Sequence, residues 1–176
     1  VDRKTAIDRD VYHMARLGLN AYRIHIWDVE ISDAEGNLLE NEHLELLDYL
    51  IHKLQERGIR TVITAQTDFG NGYPERNQPT GGFSSHYDKC AVHSDAEAIV
   101  AQEKYIAALV RHVNPYTGYA YKDDPYIVVF EINNEPCHPG TVVETRNYIN
   151  KMLSALKRAG NRKPVFYNVS HNQHVV

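Results

Sequence analysis

The densest group of reactive side chains is Asn133-Asn134-Glu135-Pro136, closing the apolar run Ile127-Val128-Val129-Phe130-Glu131-Ile132. A carboxyl group can give up or take a proton, and neighbouring amides can hold the hydroxyls of a ligand. Pro136 disfavours helical geometry at Glu135 and stops a strand ladder, which predicts a carboxylate held at a fixed exit point. Comparable polar groups recur three times: Arg23, His25, Trp27 and Asp28; Gln66, Asp68 and Phe69; Ser170, His171 and Asn172. Aromatic rings beside carboxylates and amides suit a polyhydroxylated ligand, since rings stack on C–H faces while polar groups bond hydroxyls.

Each group follows a short β-branched or apolar stretch. The expected strands are 21–26, 59–65, a run that opens at Ile127 and ends in Asn133-Asn134-Glu135, and 164–169. Helical periodicity precedes each of them, over 4–17, 42–57, a helix opened by the capping-box pattern Ser94-Asp95-Ala96-Glu97, and 141–159. The segment from Gln66 to His93 is too long for an idle connection, and Phe69, Tyr73, Phe83 and Tyr87 predict an ordered loop. Helices alternating with strands imply a parallel sheet with right-handed crossovers. Ligands of such sheets bind where the strands end, and here those ends carry the polar groups. The opposite ends carry basic Gly turns, Arg57-Gly58 and Arg158-Ala159-Gly160. An open doubly wound sheet would normally begin on a strand, and a whole (β/α)8 barrel needs about 250 residues. Starting on a helix and ending on a strand fits a piece of a barrel, about strands two to five. The expectation is thus an α/β chain in which residues 1–176 form a single incomplete (β/α)8 domain.

At 176 residues, 43% apolar and 24% charged, the chain has the composition of a soluble globular domain. A net charge of −4 argues against nucleic-acid or anionic-membrane partners. No apolar run nears the roughly 18 residues of a membrane span. The opening Val1-Asp2 lacks Met and a signal segment, as in a processed or trimmed chain, which leaves the compartment open. Cys90 and Cys137 make no disulfide framework or zinc motif, and the rarity of lone disulfides in α/β enzymes favours two thiols. His138 beside Cys137 gives too few ligands for a metal. Asp33, Glu35 and Asn37 lack the Gly and closing Glu of a calcium loop and read as a turn. Neither a metal nor a cofactor is expected.

Phe130-Glu131-Ile132-Asn133-Asn134-Glu135-Pro136 resembles the strand-four motif of retaining (β/α)8 glycoside hydrolases, the clan that includes family-five cellulases and mannanases. Asn134 and Glu135 match its Asn and acid/base Glu. Arg23, in Tyr22-Arg23-Ile24, matches the strand-two Arg that the clan places near its nucleophile. Met14-Ala15-Arg16-Leu17-Gly18-Leu19-Asn20 resembles the approach to strand two. Two features depart from the pattern. The clan's nucleophile is a Glu on strand seven, whereas this chain ends near strand five. The clan often has a His at the strand-three exit, where Gln66 and Asp68 stand here.

The resemblance implies a retaining hydrolase of a β-linked polysaccharide or oligosaccharide, with Glu135 as general acid/base. Asn134 would donate to the sugar 2-hydroxyl, and Arg23 would hold the nucleophile ionised. His25, Trp27, Asp68, Phe69, His171 and Asn172 are candidates for binding sugar. His25 can equally be a core histidine, and Trp27 and Phe69 ordinary packing. Glu131 is expected inside the barrel, hydrogen-bonded below the site. The chain by itself should lack activity, and its partner would be the rest of the barrel or a second copy. Secretion or a periplasmic location follows from the resemblance alone. A non-catalytic carbohydrate-binding half barrel and a doubly wound domain for another small ligand are the other readings.

Overall fold

Alternating runs of apolar residues build one parallel sheet. Its strands are β1 (Ala21–His25), β2 (Arg60–Gln66), β3 (Ile127–Asn133) and β4 (Val165–Phe166). The helices are α1 (Arg3–Arg16), α2 (Asp28–Ile31), α3 (Glu42–Glu56), α4 (Ala96–Arg111) and α5 (Val142–Arg158). The structure, a computed structural model, describes residues 2–67, 81–87, 90–138 and 140–168.

Strand order decides between the two architectures. The sheet runs β1-β2-β3-β4, parallel throughout and without reversal. A doubly wound sheet reverses its order at a switch point. Right-handed crossovers between consecutive neighbours put α3, α4 and α5 on one face, as in the wall of a barrel. The chain is an α/β partial (β/α)8 barrel.

Register sorts the side chains into two rows. Ile24, Ile63, Phe130 and Val165 are successive cross-strand neighbours. Ile63 and Phe130 are fully buried against the helices, with Ile51, Leu54, Ile106, Leu109, Met152 and Leu156. Burying each such side chain contributes about 1.5–3 kcal/mol. The next row is His25, Thr64, Glu131 and Phe166. These side chains point to the sheet's other face, so the core and the chemistry are separated by strand alternation.

Several boundaries differ from expectation. Asp95, not Ser94, caps α4: its Oδ1 accepts from the N–H groups of Glu97 (2.9 Å) and Ala98 (3.0 Å). A carboxylate takes both bonds, and the Ser94 hydroxyl turns back to the Ala91 carbonyl at 3.2 Å. A capping box does form at α5, where Thr141 and Glu144 bond reciprocally. Among the described residues the last strand covers Val165–Phe166, and the expected end at Val169 lies outside them. The short helix α2 was not expected. The long 66–93 connection contains 3-10 turns at Phe83–Ser85 and Ala91–His93. The 32–37 segment is the expected turn, with Asp33 Oδ1 accepting from Glu35 N (3.1 Å) and Asn37 N (2.7 Å). Its Gly36, at φ +77°, lies so close to α4 that a Cβ would sit 1.9 Å from the Ala101 carbonyl oxygen.

Candidate active site

The C-terminal ends of β1, β2 and β3 meet at a guanidinium. Arg23 Nε donates to Glu131 Oε2 at 2.8 Å, and an Nη group donates to the same oxygen and to Asn134 Oδ1 at 3.2 Å. The Thr64 hydroxyl from β2 also donates to Glu131 Oε2. Glu131 is only 8% exposed. A carboxylate buried so deeply requires the charge and donors it has here. Glu131 therefore lies where expected, beneath the site, and Arg23 is held by it.

Glu131 and Asn134 are three residues apart, so an unbroken strand would point them to opposite faces. Both reach Arg23, so the alternation breaks at the end of β3. The Asn134 N–H still donates to the Gln66 carbonyl at 2.9 Å. Asn133 instead meets His93 and Tyr148: its Nδ2 lies 3.3 Å from His93 Nε2, and its Oδ1 lies 3.2 Å from the Tyr148 hydroxyl. That hydroxyl also lies 2.7 Å from Gln102 Oε1.

Glu135 follows the break with φ +47°, the only non-glycine residue in the left-handed region among the described residues. Pro136 excludes the right-handed helical region as expected, but the backbone turns to the left-handed side and is not extended. Such strain tends to be kept at functional sites. Glu135 is half-buried and Pro136 buried. The field of Glu135 reaches His25, whose imidazole is pushed below its ordinary range by lost hydration and then by Arg23, with Glu131 and Glu135 opposing. His25 and Trp27 share a cleft of about 110 Å³ with His43 at the start of α3.

Asp28, at the β1 exit, is buried and accepts from the Thr67 N–H at 2.9 Å and from the Ser84 hydroxyl. It ties the β1 and β2 exits to the Phe83–Ser85 turn. The Gln66 amide is buried and has no hydrogen-bond partner among the described residues. The structure thus brings Arg23, Asn134, Glu135 and His25 to one end of the sheet, with Trp27 beside His25. Asp68, Phe69, His171 and Asn172 lie outside the described residues.

The pairing that the sequence disfavoured, and that only the fold could bring about, does occur. Cys90 and Cys137 form a disulfide, with Cα atoms 4.7 Å apart. The α4 crossover returns the chain to the β3 exit, which brings together residues separated by 47 positions. Beside it, His138 Nε2 is hydrogen-bonded to the Tyr167 hydroxyl, and the His93 and His138 rings are 4.8 Å apart. His93, Tyr148 and Tyr167 had no sequence signal of their own. Thr64 did: it is a hydroxyl in an otherwise apolar strand centre. Among the described residues no cluster of three or more His, Cys, Asp or Glu is placed to hold a metal ion, and no helix is long and apolar enough to cross a membrane.

Solved structures share this arrangement of strands and helices. The endo-1,4-beta-mannanase of Rhizomucor miehei superposes with a TM-score of 0.71 at 21% identity, over 92% of this chain and 51% of its own. The hyperthermostable endo-1,4-beta-D-mannanase of Thermotoga petrophila RKU-1 gives 0.73 at 22% identity, over 93% and 50%. The glycoside hydrolase family 5 mannosidase of Rhizomucor miehei gives 0.65 at 18%, over 94% and 46%. The chain spans about half of the (β/α)8 barrel of each of these proteins and shares its fold. In sequence, the half barrel is similar to the putative mannan endo-1,4-beta-mannosidase 5 of Oryza sativa subsp. japonica, with 26% identity over 104 residues. That match covers 55% of the half barrel and 20% of the rice protein. No family model matches the chain.

Proposed function

We propose that the half barrel supplies the acid/base side of a retaining glycoside hydrolase acting on β-linked mannan-type chains. The observation that carries this reading is Glu135 itself. It is a half-buried carboxyl group at a strand exit, in a strained backbone conformation, beside an Asn134 that Arg23 orients. The mannan substrate class is taken from the named neighbours.

In the first step Glu135 gives its proton to the glycosidic oxygen as the C1–O bond breaks. A second carboxylate, about 5–5.5 Å away, bonds C1 from the opposite face. In the second step Glu135, now a base, takes a proton from water as that water displaces the carboxylate and the C1–O ester bond breaks. Asn134 donates to the 2-hydroxyl through its Nδ2, because Oδ1 already accepts from Arg23. The second carboxylate belongs to the remainder of the barrel, which covers the open sheet face where Phe166 is 58% exposed. By itself the chain is inactive and self-associates, which light scattering would check: a monomer across concentrations counts against a half barrel.

The decisive experiment changes Glu135 to Ala in the full-length protein and assays an activated aryl β-mannoside with and without azide. Slow turnover that azide restores supports the acid/base role. Unchanged turnover removes Glu135 from the mechanism.

A further inference from the structure

Among the described residues the last ladder hydrogen bond of this strand is that of Asn134, and the left-handed turn at Glu135 lies beyond it. Four features form a closed ring that includes Glu135. Residues 133–137 run from the end of β3 to Cys137. The disulfide crosses to Cys90. Residues 90–93 form the turn that leads to His93. The contact of His93 with Asn133, 3.3 Å, returns to the start. The far side of the ring is anchored in its turn, because Gln102 Nε2 donates to the Val92 carbonyl at 2.7 Å and to the Ala98 carbonyl at 2.9 Å. His93 is 4% exposed and Gln102 fully buried, so the anchor belongs to the core.

From these contacts we infer that Cys90 and Cys137 are positioning residues for Glu135, their disulfide holding the carboxyl group where it can protonate the leaving oxygen. The inference rests on the acid/base reading above. It also makes catalysis sensitive to redox conditions. A dithiol reductant attacks one sulfur as thiolate and forms a mixed disulfide. Its second thiol then closes a cyclic disulfide and releases the second cysteine, so two electrons leave the reductant and two protein thiols result. The two arms of the ring are then held by non-covalent contacts, Asn133 with His93 and His93 with His138 among them, and Glu135 can relax from its left-handed conformation.

The test is the dependence on leaving group in the full-length protein. Phenyl β-mannoside needs a proton on its leaving oxygen, and dinitrophenyl β-mannoside barely does. Cys90→Ser, Cys137→Ser and dithiothreitol-treated wild type should lose about tenfold to a hundredfold in kcat/KM on the phenyl substrate. On the dinitrophenyl substrate they should lose less than about twofold, since general acid assistance is scarcely needed there. Reoxidation should restore the treated wild type. Damage that is only structural would lower both substrates by one factor, and that result, or no loss on either, overturns the inference. Should a Ser variant fail to fold, the reduced wild type and the Cys90→Ala/Cys137→Val pair give the same comparison. Glu135→Ala is the control: equal loss on both substrates there overturns the acid/base reading and this inference with it. Discrimination in Glu135→Ala but not in the cysteine variants overturns the inference alone.

Discussion

Removing either partner of the Arg23–Glu131 pair should have unequal effects. Glu131 is 8% exposed, and its partners among the described residues are Arg23 and the Thr64 hydroxyl. The Arg23 side chain is 39% exposed. Arg23→Ala strands a buried carboxylate with one hydroxyl donor, a change that costs about 3–5 kcal/mol when burial is complete. Some water reaches the vacated space, so the lower end, about 3 kcal/mol, is expected. Glu131→Gln leaves a guanidinium that solvent can reach and an amide that still accepts a bond, at a cost of about 1 kcal/mol. For a chain of this size 1 kcal/mol moves Tm by about 2–4 °C, so Arg23→Ala should lower it by about 6–12 °C and Glu131→Gln by about 2–4 °C. The double variant should be more stable than the sum of the two, since removing the carboxylate's charge relieves most of the damage left by Arg23→Ala. The assay is thermal unfolding of the purified chain at fixed protein concentration. Equal losses for the two single variants, or strict additivity in the double, would refute the account of Glu131 as a buried charge dependent on Arg23.

Three further outcomes follow from the structure. Glu135→Gly should be about 0.5–1 kcal/mol more stable than Glu135→Ala in denaturant titration, because a Cβ at φ +47° costs about 1–2 kcal/mol and glycine's unfolded entropy takes back about 0.4–1; an Ala variant at least as stable would contradict this. His25 holds its proton less tightly folded than unfolded. As pH falls below about 6.5 the unfolded chain therefore binds a proton that the folded chain refuses, and stability drops until the folded imidazole also titrates. His25→Gln should remove that part of the acid destabilisation, seen as a variant stability–pH curve that is flatter than the wild-type curve below about pH 6.5; a difference between the two curves that does not change with pH would refute this. Replacing both cysteines by Ala should cost about 4 kcal/mol for a 47-residue loop on the loop-closure account. A loss under about 1 kcal/mol in denaturant titration would show that the reduced unfolded chain is already compact there.

Elements with strong local periodicity were readable before the structure. α1, α3 and α5 begin and end within a residue or two of the expected limits, and β3 opens at Ile127 as expected. The chain Ser94-Asp95-Ala96-Glu97 misled because it offers two caps side by side. The Ser fits the capping-box spacing, but the Asp can accept two N–H groups at once. The expected end of β4, Val169, lies outside the described residues. Apolar alternation continues past Phe166, yet among the described residues the cross-strand partners on β3 are Phe130 and Glu131. Strand length is set by the neighbour, which periodicity does not contain. The same limit hid the disulfide, since no local pattern links positions 90 and 137.

The placement of the candidate residues was partly legible. Arg23, Asn134 and Glu135 were expected at strand exits, and the structure brings them to one end of the sheet. Glu131 and Glu135 share strand parity, yet alternation does not fix the carboxyl group of Glu135. Alternation ends when Asn134 turns to Arg23, and Asn133 is drawn to His93 and Tyr148. From there the direction of Glu135 depends on one left-handed residue, a buried proline and a covalent link to a segment that lies before α4. The strand carries the carboxyl group to the rim, and non-local contacts decide where it points. Variants at Cys90 or His93 should therefore disturb Glu135 more than conservative changes within β3, although β3 is its nearest neighbour in sequence.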